Sequence, residues 1–185
     1  MQLVWPSSAT LPSYVQALQR GWSPNNLRPE AGQEELALIQ ADPDAFVTGL
    51  VDREANGAPV RMPNGALVPR LPGFRRWMWD GEFCGTISLR WQHGSNALPP
   101  YCLGHIGYSV VPWKQRKGYA TQALSMLLRD AAAEGLSFVH ITTEPDNIPS
   151  QRVILANGGE LVEEFIPPAE VGGTAKLRFR IAVSR

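Results

Sequence analysis

Residues 74–92 read FRRWMWDGEFCGTISLRWQ, two apolar runs hinged on Asp80-Gly81. Aspartate-glycine between apolar runs is a strong hairpin signal, because the favoured two-residue turn needs positive φ at its centre. After a loop rich in Gly, Asn and Pro, LGHIGYSVV at 103–111 is a third run of the same kind, ended by Pro112. A three-strand meander therefore forms the centre of whatever this chain becomes. Beyond Pro112 the period changes: Ala120, Leu124, Leu127, Leu128 and Ala131 share one face of a helix over 117–133, closed by Gly135.

The flanks read more simply. MQLVWP at 1–6 is a short strand, and Thr10 is placed to cap a helix to about Arg20, with Pro12 tolerated in its first turn. Leu36, Leu38 and Ile39 mark a helix over 30–40, and Asp42-Pro43 opens another to Leu50. Proline and glycine recur over 57–73, where PNG at 63–65 signals a turn; this reads as a small hairpin or extended loop inserted near a binding site. SFVHITT at 137–143 is a strand, 149–157 a helix stopped by Gly158-Gly159, and 160–166 and 174–183 two last strands. A meander continuing into a strand–helix–strand unit predicts an α+β fold. Its mixed, mostly antiparallel central sheet has about six or seven strands, flanked by about four helices. At 185 residues the chain is expected to be one domain, 1–185.

Lys plus Arg balance Asp plus Glu, 17 against 17, so no overall field favours nucleic acid or an acidic membrane. The N-terminal stretch has neither the charged start nor the apolar run of a signal peptide, and no stretch approaches a membrane span. A soluble, cytoplasmic protein is expected. Cys84 and Cys102 cannot build a disulfide framework, and with His93, His105 and His140 they form no metal-ligand spacing, so buried free thiols and no metal are expected.

Local charge lies in VVPWKQRKGYATQAL at 110–124, where a strand hands over to a helix. A helix N-terminus presents unpaired N–H groups and the positive end of its dipole, which together attract phosphate oxygens. Gly118 removes the side chain that would bar close approach, Ala120 keeps the next position small, and Arg116 and Lys117 add charge. The chemistry suggested is a pyrophosphate cradle; an ordinary solvated helix cap is the plainer alternative. The stretch is neither a Walker A loop nor a GxGxxG fingerprint.

Gln115-Arg116-Lys117-Gly118-Tyr119-Ala120 resembles the Gln/Arg-x-x-Gly-x-Gly/Ala signature of the GNAT acetyltransferase superfamily. The strand before it, GHIGYSVVP, and the later DNIPSQRVILANGG, with Asn147 followed by Ser150 and Gly158, are similar to that family's neighbouring motifs. The similarity spans about 74–166, and within the superfamily it is nearest the branch holding ribosomal-protein N-terminal acetyltransferases. The resemblance implies an acyl-CoA N-acyltransferase fold: an acetyl-CoA-binding core over 74–166, acceptor-side elements over 1–73 and a terminal strand over 167–185. It implies acetyl-CoA as co-substrate and an amine acceptor, either a small molecule (aminoglycoside-like compounds included) or a peptide or protein N-terminus. A homodimer is the assembly it suggests; nucleic acid and membrane are not expected partners.

The family reaction is direct attack of an amine on the thioester in a ternary complex. By resemblance, Ser109, Val110, Val111, Gln115, Arg116, Lys117, Gly118, Tyr119, Ala120, Thr121, Asn147 and Ser150 bind the cofactor. Many relatives place a general-acid tyrosine where this chain has Ile154, and Ser150 is the implied substitute, with capping of its own helix as the alternative. His105 and Tyr108 are the candidates for a direct proton-transfer role, although strand alternation sets them on opposite faces, so one of them packs in the core. Glu144 is a further, outlying candidate. Trp77, Trp79, Trp91 and Trp113 are divided between core and pocket wall, and Asp42, Asp44, Asp52 and Glu54 are either acceptor-attracting or simply solvated. The rival reading is an acyl-CoA-binding or sensor module of the same fold, for which Ile154 is the sequence support.

Overall fold

The computed structural model describes residues 1–25, 28–62 and 64–183. Its elements are β1 (Gln2–Val4), α1 (Leu11–Gln19), α2 (Ala31–Ala41), α3 (Pro43–Gly49), β2 (Val51–Asp52), β3 (Val60–Arg61), β4 (Leu67–Val68), β5 (Gly73–Trp79), β6 (Phe83–Arg90) and β7 (Ile106–Val110). After these come α4 (Tyr119–Ala133), β8 (Phe138–Thr143), α5 (Ile148–Leu155), β9 (Glu160–Phe165) and β10 (Lys176–Ala182). This is the expected α+β architecture. The expected hairpin over 57–73 forms as β3 against β4; Pro63 of its PNG turn lies outside the described residues. The two-residue strand β2 has no counterpart among the expected elements.

β5 shows why the meander is the centre. Its residues alternate between two covered faces. Phe74 and Met78 join the large apolar cluster under α4, and Arg76 on that face donates to Asp130 of α4 (2.8 Å). Trp77 and Trp79 face α1 and α2, where Trp77 stacks on Tyr14 with ring centroids 4.7 Å apart. Arg75, on this second face, pairs with Glu35 of α2 (2.9 Å). A strand with apolar residues on both faces needs a helix layer on each, and the arginines fix which helix goes where. Trp77 and Trp91 are fully buried, so both are core rather than pocket wall.

The central sheet is divided. β1, β5, β6 and β7 pair antiparallel in that order, with β2 on the start of β5, while β8, β10 and β9 form a second sheet. The two sheets meet at His105, whose N–H donates to the His140 carbonyl (2.7 Å). Gly104 permits that approach: a Cβ there would stand 3.1 Å from the same carbonyl oxygen. From Ile106 onward β7 pairs with β6 alone among the described strands, so a seam opens between β7 and β8 toward their C-terminal ends.

Two local expectations are corrected. Thr10 stands at the N-cap of α1, yet its hydroxyl donates back to the Ser7 carbonyl (3.1 Å) instead of capping the helix. Ser150 does not cap the last helix, because α5 begins at Ile148 and its cap is Asn147, whose side-chain oxygen accepts the Ser150 N–H (3.1 Å). Asp42 does cap α3, accepting the Ala45 N–H (2.9 Å). No helix among the described residues is long and apolar enough to cross a membrane.

Candidate active site

The turn from β7 into α4 is tight and partly left-handed. A single 3-10 turn, Pro112–Lys114, is followed by Arg116 at φ 61° and Gly118 at φ 74°. A left-handed arginine costs on the order of 1 kcal/mol, which marks the turn as shaped for something other than its own stability. The Gln115 N–H still bonds the Pro112 carbonyl (3.4 Å), and the next to reach a backbone acceptor is that of Gln122, on Gly118 (3.0 Å). The N–H groups between them, from Arg116 to Thr121, have no backbone acceptor among the described residues. Such a run of free donors at a helix N-terminus has the chemistry to accept an anion. Gly118 fits it, since its Cβ position has only the Gln122 side chain within reach, at 3.7 Å.

Side chains of the turn divide into braces and free cations. Gln115 donates from its amide to the Val110 carbonyl (3.3 Å), and Tyr119 donates to Asp80 (2.6 Å). Lys114 is held by Asp80 and Glu82 at 3.0 and 2.6 Å. Arg116 and Lys117 are exposed and make no ion pair with the described residues. Ala120 is half-buried, and the Thr121 carbonyl accepts from Asn157 (3.2 Å), tying α4 to the end of α5.

The seam beside the turn carries the second feature. Val111 donates its N–H to the Cys84 carbonyl of β6 (3.0 Å), so alternation along β7 turns Ser109 and Val111 main-chain groups toward β6 and those of Tyr108 and Val110 into the seam. The Ser109 hydroxyl lies on the far face, accepting from the Trp22 indole (3.3 Å). Tyr108 reaches across to α5, where its hydroxyl is 2.8 Å from Ser150 Oγ and 3.3 Å from the Ser150 carbonyl, two acceptors for its one proton. Burial pushes the Tyr108 phenol up to about 12, more than the Ser150 hydrogen bond brings it down. It is protonated at neutral pH. Two hydroxyls, one from each side of the seam, thus form one hydrogen-bonded pair.

His105 lies elsewhere. The ring is fully buried at the closed end of the seam, and Nδ1 accepts the His140 N–H (2.9 Å). Burial, with the neighbouring His140 and Arg90 charges, pushes its pKa down to about 4, so the ring is neutral. With Nδ1 accepting, the ring proton sits on Nε2. His105 and Tyr108 stand on opposite faces, as alternation required. Ile154 is fully buried in the main cluster. Glu144 is paired with Lys176; burial raises its carboxyl, but the lysine outweighs this and leaves it below the usual range. Cys84 is buried and Cys102 half-buried, both as free thiols. No group of metal-ligating side chains assembles among the described residues.

One participant carries no sequence signal beyond that of a turn. Asp80, at the tip of the β5–β6 hairpin, holds Lys114 and Tyr119 together.

A family model described as an acetyltransferase (GNAT) domain matches residues 20–160. No curated protein matches the chain. Among solved structures, the microcin C7 self-immunity acetyltransferase MccE, in complex with acetyl-CoA and AMP, superposes with TM-score 0.63 at 12% identity, over 98% of this chain and 91% of that one. RimL, the ribosomal L7/L12 alpha-N-protein acetyltransferase, in complex with coenzyme A, gives 0.61 at 16%, over 98% and 93%. A putative ribosomal-protein-serine acetyltransferase from Vibrio cholerae gives 0.56 at 17%, over 98% and 92%.

Proposed function

Because the chain belongs to the GNAT acetyltransferase family, we propose that it moves an acetyl group from acetyl-CoA to a primary amine by direct attack in a ternary complex. The observation that carries this reading is the Tyr108–Ser150 hydroxyl pair, 2.8 Å apart across a seam that opens beside a turn of free N–H groups. The turn suits the pyrophosphate, and the seam-facing main chain of Tyr108 and Val110 suits the amides of the pantetheine arm.

In this reading the amine nitrogen attacks the thioester carbonyl carbon and loses its proton to solvent at the open side of the seam. The C–S bond breaks, and the departing sulfur takes a proton from Ser150, which Tyr108 resupplies and solvent restores to Tyr108. Ser150 stands in for the acid absent at Ile154. His105 has no part in proton transfer here, because its only basic nitrogen already accepts the His140 N–H. Its role is to close the seam.

The acceptor is a primary amine of one of two classes: a protein N-terminus, the class named for RimL, or a small-molecule amine. β5 begins at Gly73, at the end of the sheet away from its turn at Asp80, so the 57–73 hairpin emerges at the opposite end from the cradle. An acceptor entering there would meet the thioester from the side facing away from the pyrophosphate.

Calorimetric titration of acetyl-CoA into wild type and Gly118→Glu tests the reading, followed by thiol-release assays with peptide and small amines. Binding abolished by the variant, together with turnover of one amine class, is expected. No wild-type binding would overturn the reading, and binding without turnover of any amine would leave the sensor module in its place.

A further inference from the structure

The β5–β6 hairpin turn reaches the cradle through one side chain. Asp80 Oδ1 and Oδ2 each lie 3.0 Å from Lys114 Nζ, and Oδ2 also accepts the Tyr119 hydroxyl at 2.6 Å. Lys114 ends the 3-10 turn on one side of residues 115–118, and Tyr119 is the first residue of α4 on the other. One carboxylate therefore spans the two ends of the left-handed segment. Glu82, two residues on, takes the same ammonium at 2.6 Å.

We infer that Asp80 is a positioning residue that staples both ends of the 115–118 turn, holding its N–H groups in register for a pyrophosphate. The inference rests on the acetyl-CoA reading above and deepens it. An exposed ion pair would count for little here. The Lys114 and Asp80 side chains, however, are only 11% and 18% exposed, and three hydrogen bonds converge on one carboxylate. Burial raises the Asp80 carboxyl, but the hydrogen bonds from Tyr119 and Lys114 outweigh it and hold the group well below the usual carboxylate range. It stays an anion wherever the protein is folded near neutrality.

The staple carries an electrostatic cost. A carboxylate this close to a phosphate site repels the ligand, and Lys114, a single ammonium shared by Asp80 and Glu82, offsets only part of that repulsion. The cradle's attraction is left to Arg116, Lys117 and the N–H groups themselves. What Asp80 contributes is order: two left-handed residues in four are easily lost to other conformations, and fixing both ends lowers the entropy given up on binding.

The test measures calorimetric affinity of wild type, Asp80→Asn and Tyr119→Phe for acetyl-CoA and for S-acetylpantetheine, which carries the same thioester arm without the pyrophosphate. Thermal midpoints are taken alongside. Asp80→Asn is expected to weaken acetyl-CoA about tenfold and leave S-acetylpantetheine within about twofold. Tyr119→Phe, which alters no shape and loses one hydrogen bond, is expected to weaken acetyl-CoA about threefold. Equal affinity of wild type and both variants for acetyl-CoA overturns the staple, and so does an equal loss for both ligands, which would mark a general structural role. A wild type that binds neither ligand overturns the acetyl-CoA reading itself, and the staple with it.

Discussion

Tyr108 Oη and Ser150 Oγ lie 2.8 Å apart, one carried by β7 and the other by α5, on opposite sides of the seam between the two sheets. If this pair protonates the leaving sulfur, Ser150→Ala lowers kcat by about a hundredfold, at the low end of general-acid contributions, with acetyl-CoA affinity near wild type. Tyr108→Phe lowers it less, because solvent can resupply the serine. The double variant is expected to be no worse than Ser150→Ala, since the two act as one unit. Steady-state kinetics on any accepted amine checks this, and additive losses would refute the relay.

Asn147 holds the other end of that arrangement by accepting the Ser150 N–H. Asn147→Ala is expected to cost about 1 kcal/mol of stability in urea unfolding, the usual value of an N-cap. Asn147→Asp, which keeps the acceptor, is expected to recover most of it.

Gly118 sits at φ 74°, and its Cβ position makes only an ordinary contact, with the Gln122 side chain at 3.7 Å. Gly118→Ala therefore meets no clash, and its stability cost is the backbone alone, about 1 kcal/mol by urea unfolding. The same methyl intrudes on the cradle, so acetyl-CoA affinity is expected to fall by more than the folding cost implies.

His105 makes acid stability a local matter. Its folded pKa is about 4 against about 6.5 for a free imidazole, so between these values the unfolded chain binds the extra proton. Stability is full above about pH 6.5, falls as pH drops, and levels off below about pH 4 on this group's account. His140 is shifted in the same direction and adds to the slope. His105→Asn keeps an acceptor for the His140 N–H, and its unfolding free energy between about pH 4.5 and 7 is expected to show a shallower acid limb than wild type.

Much of this was legible in the chain, for reasons that can be named. Asp80-Gly81 and the alternation of FRRWMW give a hairpin with two covered faces, because turn geometry and side-chain period are local properties. The turn at 115–118 was legible because only glycine adopts its left-handed cap without cost. The divided sheet was legible only through the family resemblance, which implies that the strand before the loop splays from its neighbour; β7 and β8 are both short apolar runs, and nothing in an apolar run itself says whether its neighbour lies at ladder distance. His105 and Tyr108 were correctly set on opposite faces, yet which face meets α5 depends on packing 42 residues away in the chain. The part played by Asp80 was hidden, because a turn aspartate reads the same whether its carboxylate points at water or at two residues of a distant helix start.

The seam, finally, makes the free protein a sheet with a fault in it. The main-chain groups of Tyr108 and the Val110 N–H, which an ordinary ladder would satisfy, face no partner strand among the described residues. A ligand that supplies amides along the gap would mend the ladder, much as an added strand does, and would join two sheets whose main chains, among the described residues, otherwise bond each other only between His105 and His140. Ligand binding and resistance to unfolding should then rise together: each tenfold excess of acetyl-CoA over its Kd adds about 1.4 kcal/mol, and slows amide exchange in β8 as much as in β7.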